Sequence, residues 1–100
     1  MAKTFSLRYL ETAINDLEEI IIYAMENGKT YVNKLIDDLD TQISILKIFP
    51  TMGKIYNNTK LSSEYRVIII DQYLIFYTIN ANVIETHRII YSKRNYLSIL

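Results

Sequence analysis

Residues 65–92, YRVIIIDQYLIFYTINANVIETHRIIYS, decide the fold of this chain. They contain three runs rich in β-branched and aromatic residues, a composition that is typical of β-strands. The pair Asp71-Gln72 and the triplet 80–82 separate the runs, although the first of these turns lacks glycine. Connections this short join antiparallel neighbours. The stretch therefore predicts an antiparallel meander with strands at 65–70, 73–79 and 83–92.

A fourth strand is expected near the start of the chain. Residues 3–9, KTFSLRY, alternate between apolar and polar side chains, with Phe5, Leu7 and Tyr9 on one side. An alternation of this kind indicates a strand with one buried face.

Two amphipathic helices lie between this strand and the meander. Apolar residues recur at three- and four-residue steps through 10–25 and again through 32–46. Asn27-Gly28 separates the two stretches, and glycine commonly ends a helix because it accepts a left-handed backbone. Pro50 follows the second stretch and is expected to stop it. Two helices with so short a connection predict an antiparallel helical hairpin.

The remaining segments are polar or short. Residues 51–64 are predicted to form a long loop, and 93–100 a final helical turn or an extension. The element order is then β-α-α-β-β-β, with an optional terminal helix. We expect one α+β domain over residues 1–100, in which the helical hairpin packs on one face of an antiparallel sheet. The strands are more apolar than strict alternation requires, so the second face is expected to be partly covered.

Composition excludes several classes of protein. The chain has 100 residues, no Cys, one His and two isolated Gly. Disulfides, thiolate sites, histidine-rich metal centres and Gly-rich phosphate loops are therefore ruled out, and we expect no metal and no cofactor. Apolar runs are too short for a membrane helix, and the N-terminus lacks the apolar core of a signal peptide. A cytoplasmic protein with no membrane partner is expected.

A net charge of zero conceals a split between the two halves. Residues 1–49 hold five basic and eight acidic residues, whereas residues 50–100 hold six basic and three acidic ones. The halves therefore carry −3 and +3. Such a distribution steers an anionic partner towards one side of a molecule, although a split among so few charges also arises by chance.

The order of these elements and several local motifs resemble the RelE/ParE superfamily of toxins from type II toxin–antitoxin systems. The resemblance covers nearly the whole chain, and no one motif is specific on its own. The segments that carry it are DLEEIIIYAMENGK (16–29), FPTMGK (49–54), YRVIIIDQYLIFYTI (65–79) and IETHRIIYSKRNY (84–96).

The resemblance implies a small toxin that is neutralised by a cognate antitoxin, as part of a hetero-oligomer. It leaves the mechanism open. ParE-like members poison DNA gyrase and are not enzymes, whereas RelE-like members enter the ribosome and cut mRNA. A third possibility is a toxin fold that has lost its activity and retains antitoxin binding.

The endoribonuclease alternative requires Arg, Lys and Tyr side chains in one patch, because without metal or several His these groups must move protons and stabilise the phosphorane. On this alternative Arg94 and Tyr96 match the basic and aromatic positions of the family's C-terminal end and would be catalytic. Equally, Arg94 can be a solvated surface residue and Tyr96 an aromatic side chain packed on the sheet. The expected nucleic-acid or target-binding residues are Lys54, Lys60, Arg66, Arg88, Tyr91 and Lys93.

Three of the candidate residues also have structural interpretations. Arg66 is expected on a strand surface. Arg88 is expected to pair with a buried acid, Glu64 or Glu85. His87 follows the opposite alternation from Arg88, so we expect it on the other face, as a packed or surface residue rather than a base.

The leading prediction is gyrase poisoning by a ParE-like toxin, and the mRNA endoribonuclease is the alternative. RelE-like nucleases tend to have a basic residue where this chain has Leu74, and Tyr91 stands where the family's ending has His. Ribosome-entering toxins are usually basic, because contacts with RNA depend on phosphate neutralisation. The zero net charge and the long helical hairpin therefore favour the ParE-like mechanism.

Overall fold

A computed structural model describes residues 4–27, 32–56 and 64–93. It confirms the α+β class and the predicted order of the main elements. The elements are β1 (Ser6–Tyr9), α1 (Glu11–Glu26), α2 (Val32–Ser44), a 3₁₀ turn (Ile45–Lys47), β2 (Lys54–Tyr56), β3 (Tyr65–Ile70), β4 (Tyr73–Asn80) and β5 (Val83–Tyr91).

The sheet has five strands in the order β1-β5-β4-β3-β2. The three strands of the predicted meander are antiparallel neighbours, but β1 pairs with β5 in parallel, from Ser6 opposite Val83 to Tyr9 opposite Thr86. The sheet is therefore mixed, where the sequence predicted an antiparallel one. A parallel pair requires a long crossover, and most of the chain, including both helices, lies between these two strands.

β2 lies inside the segment that was predicted to be a loop. Its three residues pair with β3, from Lys54 opposite Val67 to Tyr56 opposite Tyr65. A strand of three residues is too short to show an alternating pattern, which is why the sequence did not reveal it. The rest of that predicted loop, 57–63, and most of the predicted terminal segment, 94–100, lie outside the described residues.

The main core lies between the sheet and the helical hairpin. α2 and the 3₁₀ turn bury Leu35, Leu39, Ile43 and Leu46 against one face of the sheet. The sheet's own contribution consists of Ile68, Ile70, Ile75, Tyr77, Ile84 and Ile89. Phe5, Leu7 and Tyr9 pack against this core, as the alternation of residues 3–9 predicted.

The second face of the sheet is also partly buried. Phe76 and Ile90 have almost no solvent exposure, and neither belongs to the main core. The ring of Tyr56 meets the ring of Phe76 edge-on, with centroids 5.5 Å apart. The prediction of a second, partly covered face is confirmed, with β4 as the strand that is buried on both sides.

A β-bulge interrupts β5. Phe76 is paired with Arg88, and the next residue of β4, Tyr77, is paired with Thr86. His87 is therefore the additional residue on the bulged strand, and it reverses the alternation that follows. Because of this reversal, the Arg88 side chain lies on the second face of the sheet, whereas that of Thr86 lies on the helical face.

Candidate functional site

A groove of about 600 Å³ opens between α1, the start of α2 and the end of the sheet where β4 begins and β5 ends. It is a concave, mainly apolar surface with a few polar groups, which is the usual character of a binding site. Its walls are formed by Asp16, Glu19, Ile20, Tyr23, Ala24, Leu35, Gln72, Tyr73, Ile89 and Tyr91.

One wall of the groove depends on Asp16, a carboxylate that is 9% exposed. Arg88 binds it with two hydrogen bonds, from Nε to Oδ2 and from Nη2 to Oδ1, both 2.8 Å long. The backbone N–H of Ile89 donates a third, 2.9 Å long, to Oδ2. A buried carboxylate is tolerated where its charge is paired and its oxygens accept hydrogen bonds, and both conditions hold here.

These contacts place α1 along the edge of β5 beyond the end of β1. Leu10 N–H donates to the carbonyl of Thr86, and the Thr12 hydroxyl donates to the carbonyl of His87. Asp16 then receives the N–H of Ile89, one step farther along β5. The helix thus satisfies backbone groups of a strand edge that β1 is too short to cover.

The partner of Arg88 differs from the predicted ones. An acid was expected, and Glu64 and Glu85 were the candidates, but Asp16 of α1 holds the guanidinium. Glu85 lies 3.7 Å from Arg8 instead. Hydrogen bonding to the Asp16 carboxylate raises the pKa of Arg88 above its usual value. Because Asp16 is 72 residues away in sequence, no local pattern indicated the pair.

Arg66 is also engaged inside the fold rather than on a free strand surface. Its Nη1 donates to the carbonyl of Gly53 at 2.9 Å and to that of Thr51 at 3.4 Å. The sequence predicted a surface strand residue; Arg66 is half-buried on β3, and its guanidinium also holds the loop that precedes β2.

The other described candidates do not meet in one patch. Tyr91 lies in the groove, where its ring packs against that of Tyr73 with centroids 5.9 Å apart.

Lys54 and Lys93 are exposed, on β2 and after β5. Lys54, Val67, Phe76 and Arg88 form one row across four strands. Three strand spacings, about 14 Å, thus separate Lys54 from Arg88. Lys60, Arg94 and Tyr96 lie outside the described residues.

His87 is packed, as predicted, but on the same face as Arg88. Its Nε2 lies 2.9 Å from the Thr78 hydroxyl, and its ring meets that of Tyr65 edge-on with centroids 5.0 Å apart. The sequence placed His87 on the face opposite Arg88 because it gave no sign of the bulge, which reverses the alternation after His87. Burial lowers the pKa of His87 below its usual 6.5, and the opposing effect of Glu85 is smaller.

Comparison with known proteins identifies the family. The model of the family described as "ParE toxin of type II toxin-antitoxin system, parDE" matches residues 7–96. The chain belongs to the ParE toxin family. It is therefore the toxin component of a type II toxin–antitoxin system, and its partner is a cognate antitoxin.

Comparison with solved structures agrees on the fold. A chain of the "Chromosomal ParDE TA system from P. aeruginosa" matches with a TM-score of 0.71 and 18% sequence identity, over 91% of this chain and 99% of that chain. At this identity the likeness shows the fold alone. A search of curated protein sequences finds no match.

Within the ranges 4–27, 32–56 and 64–93, this ParE toxin has no group of three His, Cys, Asp or Glu side chains that could hold a metal ion. No helix in those ranges has the length and apolar character needed to cross a bilayer.

Sequence reasoning missed the residues of α1 that line the groove. Asp16 and Tyr23 were not among the candidates, although Asp16 follows the buried Ala13 by three positions and precedes Ile20 by four. That spacing places an acid on the buried stripe of the helix, which is the one signal that pointed to a partner.

Replacing Asp16 with Ala is expected to destabilise this toxin by about 3 kcal/mol, because it removes the buried carboxylate that accepts hydrogen bonds from Arg88 and from the Ile89 N–H. Urea unfolding of the purified toxin measures the loss. Asp38→Ala is the matched control, since it removes the same side chain from the exposed Lys34–Asp38 pair. Similar small losses for both variants would show that the buried pair does not anchor α1.

His87 is expected to make the toxin less stable in mild acid. Because its pKa is lower in the folded state than in the unfolded state, its contribution is complete above pH 6.5 and declines as the pH falls from 6.5 to the folded-state value. We expect the free energy of unfolding to fall more between about pH 7 and about pH 5 in the wild type than in His87→Gln. Parallel pH profiles of the two proteins would contradict this.

Proposed function

We propose that this ParE toxin arrests growth by binding and poisoning DNA gyrase, without cutting RNA itself. The observation that carries the proposal is that both arginines expected to bind a target are used within the fold. Arg88 is bound to Asp16, and Arg66 is bound to the carbonyls of Gly53 and Thr51.

An RNase that lacks a metal needs cationic side chains around the phosphate and a group that moves the proton of the 2′-hydroxyl. Neither Arg66 nor Arg88 presents an unpaired guanidinium for this role. The ring of His87 is held by Thr78 and Tyr65. The zero net charge of the chain also fits a protein target better than ribosomal RNA.

The cognate antitoxin, on this proposal, places an apolar segment in the groove between α1 and the sheet, and toxin and antitoxin form a hetero-oligomer in the cytoplasm. The exposed ring of Tyr23 on one wall and the paired rings of Tyr73 and Tyr91 on the other are suitable anchors, since aromatic side chains dominate the energetics of interfaces. α1 carries five acidic residues and no basic one, which favours basic residues on the antitoxin segment.

The mechanism is tested with purified components. Gyrase, ATP and supercoiled plasmid are incubated with the toxin, and the DNA is resolved after denaturation of the enzyme. We expect linear DNA that accumulates only when gyrase and toxin are both present. In parallel, a cell-free translation reaction with one defined mRNA is examined by primer extension, where we expect no new 5′ ends.

Each outcome of these two assays has a distinct meaning. Codon-phased cuts that need ribosomes would establish the RelE-like endoribonuclease and direct attention to Arg94 and Tyr96. Intact mRNA together with unaffected gyrase would leave a toxin fold that only binds its antitoxin.

The groove is tested by co-purification with the antitoxin. Tyr23→Ala is expected to weaken antitoxin binding roughly tenfold or more, because it removes an anchor from the groove wall. Ile22→Ala is the control, since Ile22 is the neighbouring exposed residue of α1 and does not line the groove. Isothermal titration of the purified variants with antitoxin gives the two affinities. Equal losses would place the antitoxin elsewhere on α1.

A further inference from the structure

A second surface of the molecule is apolar and is not part of the groove. The segment from the end of the 3₁₀ turn to β2 exposes four large apolar side chains, which we call the apolar loop surface. They are Ile48, Phe49, Met52 and Ile55, with exposures of 57%, 60%, 48% and 45%. A hydrogen bond from Met52 N–H to the Phe49 carbonyl, 3.1 Å long, closes a turn between two of them. Exposed apolar clusters of this kind mark interaction sites.

The loop is fixed to the sheet by Tyr77, which is fully buried in β4. The Tyr77 hydroxyl donates to the carbonyl of Pro50 at 2.8 Å and accepts the N–H of Gly53 at 2.9 Å. The Tyr77 side chain lies so close to Gly53 that a Cβ atom on Gly53 would be 2.5 Å from the Tyr77 hydroxyl oxygen. Arg66 adds its hydrogen bonds to the carbonyls of Gly53 and Thr51.

Four hydrogen bonds thus hold the backbone of the loop while its large side chains point to solvent. A loop without these bonds would be free to fold its apolar side chains inwards. A surface that is already ordered loses little conformational entropy when it binds, so more of the contact energy appears as affinity. Phe and Met are moreover among the residues enriched in protein interfaces.

The segment that carries the apolar loop surface and helix α1 beside the groove have opposite charges. From Thr41 to Ser63 the sequence has no acidic residue and three lysines, of which Lys47 and Lys54 are described and exposed. α1, which forms the groove, has five acidic residues and no basic one. The two surfaces therefore complement partners of opposite charge.

The segment that carries the apolar loop surface runs from the β1 edge, where Phe5 N–H donates to the Lys47 carbonyl, to β2 at the opposite edge of the sheet. α1 follows the edge of β5 next to β1, whereas β2 is the last strand at the other side. Within the described residues β2 pairs only with β3.

We infer that the apolar loop surface docks onto the toxin's protein target, at a site that is apolar in the centre and carries carboxylates at its rim. The inference rests on the proposed function in one respect, namely that the chain is an active toxin with a protein target. Four large apolar side chains in a segment with two exposed lysines fit a protein better than nucleic acid, whose backbone calls for many cationic contacts. The groove beside α1 remains for the antitoxin.

The test compares Phe49→Ser and Ile55→Ser with the matched control Ile69→Ser. Ile69 is an exposed isoleucine of β3, and alternation places it on the face of the sheet opposite Ile55. Each toxin variant is induced in cells without antitoxin, and growth arrest is recorded. Each is also purified with antitoxin to measure co-purification and thermal unfolding. Binding to immobilised gyrase holoenzyme is then measured for the separated toxins.

We expect Phe49→Ser and Ile55→Ser to require roughly tenfold more toxin for arrest and to bind gyrase roughly tenfold more weakly. Co-purification with antitoxin and the unfolding temperature should be unchanged, and Ile69→Ser should behave as wild type. These results together would support the inference.

Several results would overturn it. Growth arrest that persists in Phe49→Ser would overturn the inference. Loss of antitoxin binding with arrest retained would also overturn it, and would assign the surface to the antitoxin. Loss of arrest in Lys47→Glu and Lys54→Glu, but not in Phe49→Ser, would indicate a nucleic-acid contact. A wild-type chain that causes no arrest would remove both proposals.

The proposed function fails separately. If the wild-type toxin arrests growth but does not bind gyrase, gyrase is not the target. The growth assay of Phe49→Ser and Ile55→Ser then still decides whether the apolar loop surface contacts the target, whichever protein that is.

Discussion

The architecture of this toxin depends on a single carboxylate, that of Asp16. It neutralises Arg88 through two hydrogen bonds and receives the backbone N–H of Ile89. A charge buried to this degree is stable only while its partners stay in place, so the interaction fixes the position of α1 along β5. It thereby covers a strand edge that β1 leaves open, and it forms the wall of the groove. The same contact therefore determines both the packing of the helix and the shape of the surface proposed for the antitoxin.

That contact also restricts what the protein can do chemically. An arginine on β5 and one beside a tyrosine at the start of β3 are two of the residues that the sequence offered for binding a nucleic acid or another target. In this chain the first is used to anchor α1 and the second to hold the loop before β2. A guanidinium that already has carboxylate or carbonyl acceptors has fewer donors left for a phosphate. The fold is shared by toxins of different mechanism, so it is the use of these side chains, rather than the fold, that favours a protein target.

The regular elements were predictable because local patterns specify them. The strand at 65–70 was placed correctly, and the next two were placed to within one residue at their C-terminal ends. The errors have a common cause, which is that long-range pairing leaves no local signal. The parallel pairing of β1, the three-residue β2 and the partner of Arg88 all depend on segments distant in sequence. The bulge at His87 is a smaller case, since one additional residue reverses the alternation from which the faces of β5 were inferred.

The two proposed surfaces constrain how an antitoxin neutralises this toxin. If the antitoxin occupies the groove and the target meets the apolar loop surface, the two partners do not compete for the same side chains. The sheet between them is tightly packed, with Ile75, Phe76 and Tyr77 of β4 fully buried, and close packing favours one fixed arrangement over a transmitted rearrangement. Neutralisation then follows from the bulk of the bound antitoxin, which keeps the large target from approaching the loop. An antitoxin fragment confined to the groove would bind this toxin without silencing it.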